Sequence, residues 1–104
     1  MDNIEQDLKK KVLIYKVKSE GNIHNVAEAI YKAYLEDPIL EIQGIGAGAV
    51  NQAVKALIIA RSKLSLLGVD IAVVPSFKNI TNIKDDGKGL TISAINFRIL
   101  KINI

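Results

Sequence analysis

The sequence predicts an α+β fold: one mixed four-stranded sheet with two helices on one face, in the order β-α-β-α-β-β. Three observations carry this. Runs rich in β-branched residues recur near residues 12–18, 39–45, 69–74 and 90–104. The two stretches between the first three runs place apolar residues at helical spacing. An Asp-Gly pair, Asp86 and Gly87, separates the last two runs and marks a hairpin.

Taken in order, residues 1–11 are polar and charged and read as a flexible N-terminal tail. Residues 12–104 read as a single domain, the size expected of one core. The first strand covers residues 12–18. Val12 and Ile14 are expected on a buried face, with Lys16 and Lys18 emerging where the strand leaves the sheet. Asn22 is a plausible N-cap for the first helix. Ile23, Val26, Ile30, Ala33 and Tyr34 form that helix's apolar stripe, and Glu28 and Lys32 an i,i+4 pair on its wet side. Pro38 disfavours helix at the residue before it. The second strand then makes a βαβ unit with the first, with parallel strands and a right-handed crossover.

The second helix buries Val50, Ala53, Val54, Leu57, Ala60 and Leu64. Gly68 is a natural C-cap. The apolar run at residues 69–74 reads as a strand covered on both faces, and Pro75 marks an edge, a bulge or the strand's exit. In the last strand the apolar phase shifts from Leu90, Ile92 and Ala94 to Ile95, Phe97 and Ile99. A bulge or burial on both faces would explain the shift.

Composition narrows the function. Apolar residues make up 49% of the 104, with only 2 Phe, 3 Tyr and no Trp, so the core is built from Ile, Val, Leu and Ala. The absence of cysteine excludes disulfides and thiolate metal sites and fits a cytoplasmic protein. His24 alone makes no zinc site and reads as a surface residue. No metal and no cofactor are expected. The serines have no recognisable elbow or partner base, so no enzyme is expected. No signal-peptide pattern and no run of membrane-spanning length occurs. A net charge of +3 permits a phosphate-rich partner without requiring one.

Gly44, Gly46 and Gly48 punctuate the passage from second strand to second helix. Gly44-x-Gly46-x-x-Ala49 fits a dinucleotide fingerprint in form. Asp70, however, stands at the beginning of the next strand rather than its end, where a ribose partner belongs. A structural turn that lets Gly46 and Gly48 pack against the first strand or helix is the stronger reading. A helix N-terminus there could also hold a small anion.

The segment from Glu41 to Ala56, Glu-Ile-Gln-x-Ile-Gly-Ala-Gly-Ala-x-Asn-Gln-Ala-Val-Lys-Ala, resembles the central segment of the stage V sporulation protein S family, small proteins with an Alba-like fold. The likeness extends more weakly from about Val12 to about Arg98. It implies an Alba-like two-layer fold and a sporulation or developmental regulatory role. It also implies weak, largely sequence-independent binding of DNA or RNA by a homodimer or larger oligomer. In Alba-like proteins the basic residues lie after the first strand, before the second helix and on the long hairpin. Lys16 and Lys18 match the first region here, and Lys84 and Lys88 the third, beside Asp85 and Asp86. The glycine turn carries no basic residue. Arg61 and Lys63, closing the second helix, complete the candidate nucleic-acid-binding set. Ile59 on that helix's polar side and the apolar residues Leu100, Ile102 and Ile104 point to an interface between copies. The alternative is an oligomeric protein-interaction scaffold without nucleic-acid binding.

Overall fold

The computed structural model describes residues 10–36, 38–83, 87 and 89–102. Its elements are β1 (Val12–Val17), α1 (Ile23–Tyr34), β2 (Ile39–Gly44), α2 (Ala47–Ser65), β3 (Asp70–Ile83) and β4 (Gly89–Ile102). The sheet order is β1-β2-β4-β3. β1 and β2 are parallel, as a βαβ unit requires, and the other pairings are antiparallel.

Strand periodicity decides which face meets the helices. Leu13, Leu40 and Ile99 form one row across the sheet, Tyr15, Ile42 and Phe97 the next, and Val17, Gly44 and Ile95 a third. These rows pack against Ala27, Ile30 and Ala33 of α1 and Ala53, Ala56, Leu57 and Ala60 of α2. Small residues on α2 let it sit close to the sheet. Ile30, Ile42 and Leu64 are the largest fully buried side chains, and truncating any one to Ala costs about 2–5 kcal/mol.

Several expectations change. On β1 the buried face is Leu13, Tyr15 and Val17, whereas Val12 and Ile14 are exposed on the other side with Lys16. On α2, Val54 is exposed, while Ala49 and Ala56 are buried. Ile59 is partly buried against the core, and Ile58 is the exposed isoleucine. β3 is one strand of 14 residues that runs through Pro75. It pairs with β4 alone and is therefore an edge, where a missing amide donor is tolerated. For the same reason Val73 and Val74 are not covered on both faces. β4 has no bulge, since its pairing with β3 is continuous from Gly89 to Ile102. Its phase shift reflects burial on both faces around Ala94, Asn96 and Phe97.

Capping follows the sequence signals. The Asn22 side chain accepts from the amides of His24 at 2.9 Å and Asn25 at 3.2 Å. Gly68 adopts φ +73° and donates to the Ser65 carbonyl at 3.0 Å as α2 ends. Ion pairs then tie neighbouring elements together. Glu28 pairs with Lys63, joining α1 to α2, rather than with Lys32 on its own helix. Arg61 grips Asp70 through two hydrogen bonds of 2.6 and 3.0 Å, joining α2 to β3. Arg98 holds the buried Glu41 carboxylate at 2.9 and 3.0 Å across β2 and β4.

The Arg61 hydrogen bond holds the Asp70 carboxyl below its ordinary range, and the Lys63 hydrogen bond does the same for Glu28. A carboxyl with a lowered folded pKa contributes stability above its unfolded value, and that contribution is lost as pH falls through the folded value. Thermal stability should therefore decline below roughly pH 4, where unfolded carboxylates take up protons. Asp70→Asn should lower Tm at pH 7 and narrow the difference between pH 7 and pH 3. Thermal melts across that range check this, and an unchanged pH dependence counts against the pair.

Candidate nucleic-acid interface

β2 ends at Gly44 and α2 begins at Ala47, so two residues must reverse the chain. Gly46 does this at φ +86° and ψ 160°, a region closed to residues with a side chain. A Cβ at Gly46 would meet nothing, so its role is conformational. Gly44 and Gly48 have the opposite role. A Cβ at Gly44 would lie 3.0 Å from the Ala49 carbonyl carbon, and one at Gly48 3.0 Å from the Ser19 Cβ. The packing expected of Gly46 and Gly48 is thus made by Gly44 and Gly48, the latter against the loop after β1. That loop is also pinned by Gln52, whose side-chain amide donates to the Gly21 carbonyl at 2.9 Å. No side chain caps α2, and its first turn holds no acidic residue.

Lys16 and Lys18 are exposed beside this uncapped helix start. They line a cleft of ≈ 310 Å³ with Ser19 and Glu20 of the loop, Gln43 and Ile45 at the end of β2, Ala49 of α2 and Ile80 of β3. Ile80 lies four residues beyond Ser76, the β3 residue in the same row as Gln43 and Asn96. Its presence in the cleft shows that the hairpin curls over this end of the sheet. Lys78 is exposed on the same side of β3 as Ile80 but does not line the cleft. None of the three lysines is in an ion pair among the described residues. Glu20 accepts a 2.8 Å hydrogen bond from the Ser19 hydroxyl, which holds its carboxyl below the ordinary range. It is therefore an anion within the basic cluster.

The other candidates lie elsewhere. Arg61 and Lys63 are near the far end of α2, roughly 20 Å along the helix from the glycine turn, and both are in ion pairs. Lys84 and Lys88, with Asp85 and Asp86, lie outside the described residues. Asp70 is held by Arg61 on a strand not adjacent to β2, so it does not stand where a ribose partner would. Gln43, Gln52 and Lys78 were not singled out by the sequence. For Gln43 the available signal was a polar residue two places from Glu41 on a strand whose alternate positions are core. Among the described residues no three His, Cys, Asp or Glu side chains stand close enough to hold a metal ion. No described helix is long and apolar enough to cross a membrane.

The architecture is that of the Alba-like class. The chain is similar to the solved structure of Alba from Thermoplasma volcanium, with a TM-score of 0.59 and 18% sequence identity, covering 84% of this chain and 98% of that one. Residues 13–102 match the family described as Stage V sporulation protein S (SpoVS), and the chain belongs to that family. Membership implies a role connected with sporulation.

Gly46→Ala should destabilise the fold by about 1–3 kcal/mol through backbone strain alone. Gly44→Ala should cost at least as much, because the helix start must move. Urea denaturation measures both, and a midpoint unchanged in either variant would falsify the assigned role of that glycine.

Proposed function

We propose that this protein binds nucleic acid through backbone phosphates, as a homodimer, and acts in sporulation or development by that binding. One observation carries the reading: Lys16 and Lys18 are exposed and unpaired beside an uncapped helix N-terminus, whereas Arg61 and Lys63 are neutralised within the fold. Helix amides and lysines that converge on one site suit phosphate oxygens. Such contacts position a polyanion and read no bases, so binding is largely independent of sequence and weakens as salt rises. Glu20 limits the strength of that binding. The likeness to Alba supports the fold of such a protein and leaves the choice of DNA or RNA to experiment.

Dimerisation rests on a separate surface. Val54, Ile58, Ile71, Val73 and Phe97 line an apolar groove between α2 and β3. Ile58 is 59% exposed and Phe77, further along β3, is 77% exposed. A contiguous patch of this kind marks an interface, and a domain of this size gains stability by burying it. A second copy of the chain is the occupant, which would present each lysine cluster twice. The same groove favours the second reading, a scaffold that works through protein contacts alone.

Gel shifts on unrelated sequences at two salt concentrations separate these readings. Lys16→Glu combined with Lys18→Glu should weaken binding at least ~10-fold at low salt, equally on each sequence. It should also reduce the salt slope by about 0.9 for each phosphate that is no longer neutralised. Binding unchanged by this double substitution places the surface elsewhere, and a parent protein that binds no nucleic acid leaves the scaffold. In sedimentation at tens of micromolar, about where weak dimers form, the parent should be dimeric and Ile58→Glu monomeric. A monomeric parent rejects the interface.

A further inference from the structure

The cleft beside Lys16 holds more than a phosphate needs. Gln43 is 5% exposed, lines the cleft, and its side-chain amide has no hydrogen-bond partner among the described residues. An amide that opens on a cleft and bonds to no protein group is free to pair with a ligand there. Apart from Ser19, whose hydroxyl is taken by Glu20, the remaining lining is apolar: Val17, Ile45, Ala49 and Ile80. The exposed Glu20 carboxylate, also in the lining, disfavours a second free anion beside the one the lysines would hold. The lysines at the rim suit a phosphate, while the interior suits a neutral, flat group with hydrogen-bonding edges.

We infer that the cleft takes one unstacked nucleobase, so that the protein holds single-stranded nucleic acid more tightly than duplex. This rests on the nucleic-acid reading and deepens it. A nucleobase presents apolar faces to Ile45 and Ile80. A carboxamide such as that of Gln43 both donates and accepts and can match a base edge. Glu20 accepts from the exocyclic amine or ring N–H that adenine, cytosine and guanine carry. The cleft, ≈ 310 Å³, stands at the lower end of the roughly 300–1,000 Å³ usual for small-molecule sites. In a duplex the bases are paired and stacked, so filling the cleft requires extrusion, whereas a single strand offers its bases at little cost.

The test measures the affinity of the full chain for a mixed-sequence 20-nucleotide deoxyoligonucleotide, single-stranded and as duplex, by fluorescence anisotropy at low salt. The parent should favour the single strand. Gln43→Leu should lower single-strand affinity about 5–10-fold, the loss expected for a buried hydrogen bond, with duplex affinity unchanged. Its Tm should be unchanged, because the amide opens on the cleft and bonds to no other described residue. Ile80→Ala, on the hairpin and away from the main core, should reduce the single-strand preference in the same direction. Equal affinity of the parent for both forms overturns the inference and leaves phosphate binding standing. A fall in both affinities together, or a lowered Tm in Gln43→Leu, also overturns it by giving Gln43 a structural role. A parent that binds neither form removes the nucleic-acid reading and this inference with it.

Discussion

A methyl group on residue 44 would lie 3.0 Å from the carbonyl carbon of Ala49 and 3.1 Å from the amide nitrogen of Val50. Backbone against backbone leaves little room to relax, so α2 can start this close to β2 only on a glycine. Much of the molecule hangs from that contact. It fixes the start of a 19-residue helix against the end of the strand flanked by β1 and β4. The small residues Ala53, Ala56 and Ala60 then reach the rows set by Leu40, Ile42 and Phe97. It also sets the helix N-terminus beside Lys16, Lys18 and Gln43, so the constraint that packs the core also assembles the cleft.

Charge is divided between the two ends of that helix. At its C-terminal end Arg61 and Lys63 sit where the helix dipole favours cations. There they find Asp70 and Glu28, which link α2 to β3 and α1. Exposed pairs of this kind are worth little each, but they use up the cations they hold. At the N-terminal end the lysines have no such partner, and the cap position carries glycine in place of an acid. Net charge alone does not distinguish these groups; the ion pairs do.

The element order, the parallel β1–β2 pair, the Asn22 cap and the glycine turn were legible because local chemistry decides them. Periodicity alone misplaced the buried face of β1, since Val12, Ile14, Leu13 and Tyr15 are all apolar enough for either side and only the register with β2 decides. The same limit applies to β3. A run of Val, Ile and Ala resembles a strand buried on both faces, but its position at the sheet edge is a matter of topology. The cleft was less legible still. Lys16 and Lys18 could be named from the strand's end, whereas Gln43 and Ile80 meet only because the hairpin curls.

Two departures from the ordinary pattern of a two-layer protein remain, and they lie apart. One is apolar surface without cover, along Ile58, Val73 and Phe77 on the helix side of the sheet. The other is polar groups without partners: the Gln43 amide at the cleft, and the buried Asn96 Oδ1 and Tyr34 hydroxyl. Local conflicts of this kind carry a stability cost and tend to mark where a protein works. The first is relieved by apolar cover and suits a second copy of the chain. The second is relieved only by a group that can form hydrogen bonds. The groove and the cleft share no lining residue. A second copy seated on the groove would therefore use none of the side chains that line the cleft.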